Sequence, residues 1–126
     1  MIDKQRVKIE LRKLAETCQS ISYDLDDGWV VLEGFPFPPG WEPRTGFIRY
    51  ELPNQYPGGQ PKAYLPENMR YQGSQPLIML RSGPDGWSKH CIHDFSDEIT
   101  NFHTLVTMTR MIKTSLRRPN SNDPFN

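Results

Sequence analysis

Proline and glycine punctuate the middle of this chain so densely that no long strand or helix fits there. The 126 residues include 12 prolines and nine glycines, and most of them fall between residues 34 and 86 without any low-complexity repeat. Proline removes a backbone donor and glycine favours turns, so this spacing is typical of short strands joined by ordered turns. The length suits one core, and we predict a single domain over residues 1–126.

Four short strands are predicted between these breaks. Each is an apolar or alternating run bounded by turn residues, as half-buried strands are. A polar segment, residues 21–27, precedes the first and is typical of either a strand or a turn. Residues 35–40 carry three prolines and are predicted as an extended loop. The four strands comprise residues 29–34, 46–52, 62–65 and 77–80.

Two amphipathic helices frame the strands. The first is predicted over residues 3 to about 17, because apolar residues recur there at the spacing of one helical face. They are Val7, Leu11, Leu14 and Cys18. Cys18 is therefore predicted to be a core residue. The second helix is predicted from Asp97, a good N-cap, to Leu116, and Pro119 prevents its continuation. The order helix, antiparallel strands, helix indicates an α+β fold with the helices on one sheet face.

The charge balance argues against a polyanionic partner. Fifteen Lys and Arg residues offset fifteen Asp and Glu residues, so the formal net charge is zero. No global field attracts nucleic acid or an anionic membrane, and we predict neither as a partner. The apolar runs are short and the N-terminus lacks the apolar segment of a secretory signal, so a cytoplasmic location is expected. In that compartment the two cysteines stay reduced, and no disulfide is predicted.

One stretch gathers the groups that carry chemistry. Residues 87–94 place a thiol among two imidazoles and a carboxylate, between a predicted turn and a predicted helix. A thiolate beside an imidazolium has a lowered pKa and is the reactive form, which makes Cys91 a candidate nucleophile. Side chains alternate in an extended segment, so His93, two positions on, is a better partner than His90. The alternative is that Cys91 is a small buried hydrophobe beside solvated histidines, and the residues alone leave both interpretations open.

Other chemistry is disfavoured at this stretch. Structural zinc sites use paired ligands, and the sequence has no second Cys/His pair elsewhere, so no metal site is predicted. Disulfide exchange lacks a second nearby cysteine, and Ser82 and Ser88 lack the context of a hydrolase nucleophile. We expect no cofactor.

The order of several motifs resembles the ubiquitin-conjugating enzyme family, and within it the divergent bacterial members found with ubiquitin-like proteins and activating enzymes. The likeness covers nearly the whole chain, from a basic amphipathic first helix through strand segments at 29–36 and 46–53 to a tyrosine-proline turn at 56–57. Residues 65–68, Leu-Pro-Glu-Asn, resemble the family's histidine-proline-asparagine motif with leucine for histidine and one inserted residue. Trp87 resembles the tryptophan before the long helix, and residues 118–124 resemble the loop after it.

This resemblance implies a fold and a function. The fold would be UBC-like, with an N-terminal helix, a four-stranded antiparallel meander and a long C-terminal helix packed on one sheet face. The function would be to accept a ubiquitin-like protein from an activating enzyme as a cysteine thioester and pass it to a target amine. Cys91 and His93 would supply the thiol chemistry, Asn68 the oxyanion donor, and Asp123 the aspartate beside the pocket. The family's basic first helix docks the activating enzyme, and its cations here are Lys4, Arg6, Lys8, Arg12 and Lys13.

One departure from the family supports a second interpretation. The family's cysteine position falls on or next to Pro76, whereas Cys91 lies four residues after Trp87. Either the nucleophile has moved to a neighbouring segment, or the chain is a non-catalytic variant that only binds a ubiquitin-like protein or an activating enzyme. A binding module would also suit an exposed aromatic-proline surface, although such residues more often cover the end of a sheet as core. The aromatic residues in question are Phe35, Phe37 and Trp41.

Overall fold

The computed structural model describes residues 1–90, 104–121 and 124 of the chain. Helix α1 spans Lys4–Leu14. It begins where the Asp3 carboxylate accepts a hydrogen bond from the backbone N–H of Arg6 at 3.1 Å, which satisfies a donor that the first turn leaves unpaired. Its buried side chains recur at the predicted helical spacing, and they are Val7, Glu10, Leu11 and Leu14.

A six-stranded antiparallel sheet forms the centre of the structure, in the order β1-β2-β4-β5-β8-β7. A separate two-stranded sheet pairs β3 with β6. The strands are β1 (Ser20–Asp24), β2 (Trp29–Pro36), β3 (Trp41–Glu42), β4 (Thr45–Glu51), β5 (Lys62–Pro66), β6 (Arg70–Tyr71), β7 (Arg81–Ser82) and β8 (Trp87–His90). Short strands and frequent turns agree with the proline and glycine spacing of this region.

The predicted UBC-like architecture with a four-stranded meander is wrong. The sheet has six strands, and β8 and β7 extend it beyond β5, where the sequence indicated an irregular segment. The run 77–80, predicted as a strand, instead holds a 3-10 helix at Leu77–Met79. An apolar run of four residues does not distinguish a strand from a helical turn, and Pro76 at the N-cap, with an extended backbone, starts the turn.

Within the described residues, the second helix begins at Leu105, whereas the sequence predicted a start at Asp97. Helix α2 spans Leu105–Ser115, and the Thr104 hydroxyl caps it by accepting from the backbone N–H of Thr107 at 3.2 Å. Residues 97–103 of the predicted helix lie outside the described residues. No helix in the described ranges is long and apolar enough to cross a membrane.

A bulge in β2 explains how two residues three positions apart both enter the core. Leu32 and Phe35 are each almost fully buried, although strict alternation would place them on opposite faces. The register between β2 and β4 shifts between these residues. Gly34 has a φ of +67°, a conformation that side chains rarely adopt, and it lies within the shift.

Both helices and the inner face of the sheet share one hydrophobic core. Val30 and Leu32 of β2 and Ile48 of β4 are fully buried in it, together with residues of α1 and α2. The alternative of an exposed aromatic-proline surface is wrong, because its three aromatic side chains are buried in the core. They are Phe35, Phe37 and Trp41. The Trp41 indole N–H donates to the carbonyl of Leu116 at 2.8 Å, which ties the small sheet to the end of α2.

Candidate functional site

His90, the last residue of β8, is a buried structural residue and does not serve as a general base. His90 is 2% exposed, and its Nε2 lies 2.8 Å from the Ser115 hydroxyl on α2. The Ser115 hydroxyl donates to the carbonyl of Ile112 at 2.7 Å, so its oxygen accepts from His90, which fixes the proton on Nε2. Burial lowers the pKa of His90 from 6.5 to about 4, because the charged ring would lose its hydration. The imidazole is therefore neutral near pH 7 and holds β8 to α2.

Three of the four predicted catalytic residues lie outside the described part of the chain: Cys91, His93 and Asp123. The fourth, Asn68, is exposed in the turn after β5. This turn is held by the Arg70 guanidinium, whose Nη1 donates to the carbonyls of Glu67 and Met69, each at 2.8 Å. The Asn68 carboxamide is therefore presented to solvent on a fixed turn.

A polar cleft of about 590 Å³ lies beside Asn68, between this turn and the hairpin of β7 and β8. Charges of both signs line it, including Arg70, Arg81 and Asp85. The backbone N–H of Glu67 donates to the carbonyl of Gly86 at 3.0 Å, and this hydrogen bond joins the turn to the hairpin. Such a cleft offers hydrogen-bond donors to an anionic or carbonyl oxygen.

Asn68 and His90 lie toward opposite ends of β5. His90 pairs with Ala63 near the start of that strand, whereas Trp87 pairs with Pro66 at its end, and Asn68 follows Pro66. The described residues therefore do not bring the end of β8 next to Asn68.

The position where the family resemblance expects a cysteine is structural here. Pro76 is buried, and its carbonyl accepts from the backbone N–H of Met79 at 3.0 Å to form the 3-10 turn. The C-terminal region supports the same turn, because the backbone N–H of Leu77 donates to the Asn120 side-chain oxygen at 3.0 Å. No nucleophile can act from position 76.

The thiol of Cys18 is held at the edge of the core. Its Sγ lies 3.4 Å from the carbonyl oxygen of Ser20 and 3.6 Å from that of Leu14. Burial raises the pKa of this thiol above its ordinary value. The prediction that Cys18 is a core residue is thus met in part, since the side chain is half-buried and packs against the core.

The basic strip of α1 divides into paired and unpaired cations. Lys4 Nζ lies 2.6 Å from an Asp26 carboxylate oxygen, and the ammonium lowers the pKa of that carboxyl. Arg6 Nε lies 3.5 Å from Glu10 Oε2. Among the described residues, the remaining three cations of the strip form no ion pair and are exposed. They are Lys8, Arg12 and Lys13.

Sequence reasoning missed a buried network that joins α1 to α2. Glu10 is 5% exposed, and its Oε1 accepts from the Tyr56 hydroxyl and from the backbone N–H of Leu105, each at 2.7 Å. The Leu105 N–H also lies 3.1 Å from the Tyr56 oxygen. Burial and the nearby carboxylate raise the pKa of Tyr56 well above its ordinary value. The available signal was a carboxylate in the apolar stripe of α1, between Val7 and Leu11.

The described residues hold no group of three or more His, Cys, Asp and Glu side chains that suits a metal ion.

The chain matches no family model, and comparison with curated proteins and with solved structures finds no match.

Proposed function

We propose that this chain accepts a ubiquitin-like protein from an activating enzyme as a thioester on Cys91 and passes it to a target amine. The observation that supports the choice of Cys91 is the low expected reactivity of the second cysteine, Cys18. Cys18 lies against two carbonyl oxygens and its pKa is raised, so it is a poor nucleophile. Cys91 is the remaining cysteine in the sequence.

The proposed reaction has two steps. In the first, the Cys91 thiolate attacks the carbonyl carbon of the activating enzyme's thioester, a new C–S bond forms, and the activating enzyme's cysteine leaves as a thiolate. In the second, the target amine attacks the new thioester, an amide forms, and the Cys91 thiolate leaves. The proton lost by the amine passes to a general base.

Three further residues have proposed roles in these steps. His93 is the imidazole partner of the thiol, because the neighbouring His90 is buried against Ser115 and stays neutral. Asn68 takes the oxyanion role that the resemblance gives it, which requires the thioester carbonyl to reach the end of β5 opposite His90. Asp123 positions or deprotonates the incoming amine. The basic strip of α1 is proposed to dock the activating enzyme.

A reconstituted transfer assay tests this proposal. The chain is mixed with the ubiquitin-like protein and activating enzyme of its own cell and with ATP, and the products are separated on a non-reducing gel. We expect an adduct that disappears on reduction, that is lost in Cys91→Ala and that persists in Cys18→Ala. An adduct that depends on Cys18, or a reductant-resistant one in both variants, contradicts the proposal.

A non-catalytic binding protein is the second candidate. Two observations favour it. Pro76 occupies the position where the family resemblance expects the cysteine. Asn68 follows the end of β5 opposite the end where Ala63 pairs with His90. In the same assay this candidate predicts no adduct, together with retained binding of the ubiquitin-like protein by the Cys91→Ala chain in a size-exclusion experiment.

A further inference from the structure

A groove runs between α1 and the edge strand β1. Its volume is about 330 Å³. Apolar surface from both elements lines it, and Tyr23 contributes a ring that is 47% exposed. Two cations of α1 one helical turn apart, Lys8 and Arg12, stand along the helix side of the groove. The other apolar lining residues are Leu11, Ala15 and Ile21.

The strand that borders the groove is an open edge. β1 is the first strand in the sheet order, and among the described residues only β2 pairs with it. An edge strand turns every second backbone N–H and C=O outward, and proteins commonly protect such edges with lysine or proline. The sequence of β1, Ser-Ile-Ser-Tyr-Asp, has neither residue. The edge can therefore accept another strand.

Charge distinguishes the two faces of this edge. On the groove side, Lys8 and Arg12 form no ion pair within the described residues. On the opposite face, the hydroxyls of Ser20 and Ser22 each donate to the Glu33 carboxylate at 2.7 Å. An added strand thus meets cations and apolar surface on one face and a carboxylate on the other.

We infer that β1 and α1 form a docking site for an extended acidic segment of a partner protein, which adds to the sheet as a further strand. Main-chain hydrogen bonds to β1 supply affinity, and side chains at alternate positions supply specificity. Acidic side chains face Lys8 and Arg12, and apolar ones at the same parity pack on Ile21 and Tyr23. The intervening positions lie on the same side as the Glu33 carboxylate, one strand further in, which disfavours acidic residues there. Lys8 and Arg12 also belong to the strip proposed to dock the activating enzyme, but this inference concerns strand addition at β1 and holds whether or not Cys91 carries a thioester.

Selection of peptides on the full chain tests the inference without a known partner. A library of random peptides of about ten residues, long enough for one strand, is selected against the immobilised protein. The tightest peptide is then synthesised with a fluorescent label, and its Kd is measured by anisotropy. We expect Asp and Glu to be enriched at every second position and affinity to fall as salt is raised. Selected peptides without acidic enrichment contradict the inference.

Backbone methylation of the peptide tests strand addition directly. Two copies are made, N-methylated at the odd or at the even positions. One copy should lose binding and the other should retain it, because alternate N–H groups of a strand point to its neighbour. Equal binding of both copies, or equal loss in both, contradicts strand addition.

Charge reversal locates the site on the protein. The double variant Lys8→Glu, Arg12→Glu should bind the peptide at least about tenfold more weakly at low salt. The matched control is Lys62→Glu, Lys113→Glu, which reverses two exposed cations elsewhere and should leave binding unchanged. Circular dichroism confirms folding of both. Equal effects of the two double variants contradict the location. Cys91→Ala should bind the peptide normally, which separates this inference from the transfer reaction.

Discussion

Replacing Glu10 by alanine is expected to lower the free energy of unfolding by about 3 kcal/mol. The carboxylate accepts two short hydrogen bonds, from the Tyr56 hydroxyl and the Leu105 N–H. A hydrogen bond to a charged group contributes roughly 1.5–3 kcal/mol, so two would contribute about 3–6 kcal/mol. The chain recovers part of this on substitution, because a buried carboxylate has lost its hydration in the folded state. Glu10→Gln keeps an acceptor oxygen and should cost less, about 1–2 kcal/mol.

A double-mutant cycle isolates the bond between the two side chains. Tyr56→Phe retains the ring and removes the hydroxyl, and the coupling with Glu10→Gln should be about 1–2 kcal/mol. Unfolding in urea is followed by tryptophan fluorescence and by circular dichroism, with the slope m checked for constancy. Glu16, exposed just beyond α1, is the control, and Glu16→Ala should leave the midpoint unchanged. A loss below about 0.5 kcal/mol in Glu10→Ala, or zero coupling, would refute the assigned network.

Two further outcomes follow from buried contacts. His90 has a pKa of about 4 when folded and 6.5 as the ordinary value, so the unfolded chain binds the proton more readily. The stabilising effect of the neutral ring is present above pH 6.5 and is lost as the pH falls towards 4, which lowers the free energy of unfolding by up to about 3 kcal/mol. In a plot of the urea midpoint against pH, His90→Gln should flatten this part of the curve relative to the parent. An unchanged curve in that variant would contradict the buried neutral ring. Gly83→Ala should destabilise the hairpin by about 1–3 kcal/mol, because a Cβ there would lie 2.8 Å from the Tyr64 ring and 2.9 Å from the Trp87 carbonyl oxygen. A wild-type thermal midpoint would show that this contact relaxes freely.

Local pattern was sufficient for the elements with clear periodicity. The apolar spacing of α1 is a local feature, and the helix lies within the predicted range, although it ends at Leu14 and not near residue 17. The predicted strand segments 29–34, 46–52 and 62–65 also form strands, as β2, β4 and β5. The UBC-like arrangement assigned to these elements was wrong, because the number and order of strands depend on pairings that local sequence does not contain.

β8 shows why part of the sheet was missed. Its four residues, Trp-Ser-Lys-His, include no β-branched residue, and two polar side chains face the interior. Ser88 and His90 are buried there, and His90 is accommodated by Ser115 from 25 positions away. Composition suggested reactivity for His90, whereas its distant partner makes it structural.

The 3-10 turn at 77–79 has a similar cause. Its first N–H bonds to Asn120, which is 43 positions distant, and no local signal indicates that partner. The candidate site was predictable only in its residue types, because the placement of a thiol, an amide and a carboxylate relative to one another is a property of the tertiary fold. Asn68 is an exposed turn residue, and the other three predicted catalytic residues lie outside the described ranges.

The reactivity of the two thiols tests the central proposal most directly and needs no partner protein. The chain is treated with limiting iodoacetamide across a range of pH, and alkylation at each cysteine is quantified by peptide mass spectrometry. We expect Cys91 to react faster than Cys18, with a midpoint below the ordinary thiol pKa of about 8.5, and we expect His93→Ala to raise that midpoint. Cys91 reacting more slowly than Cys18 under native conditions, and equally in urea, would contradict Cys91 as the acceptor.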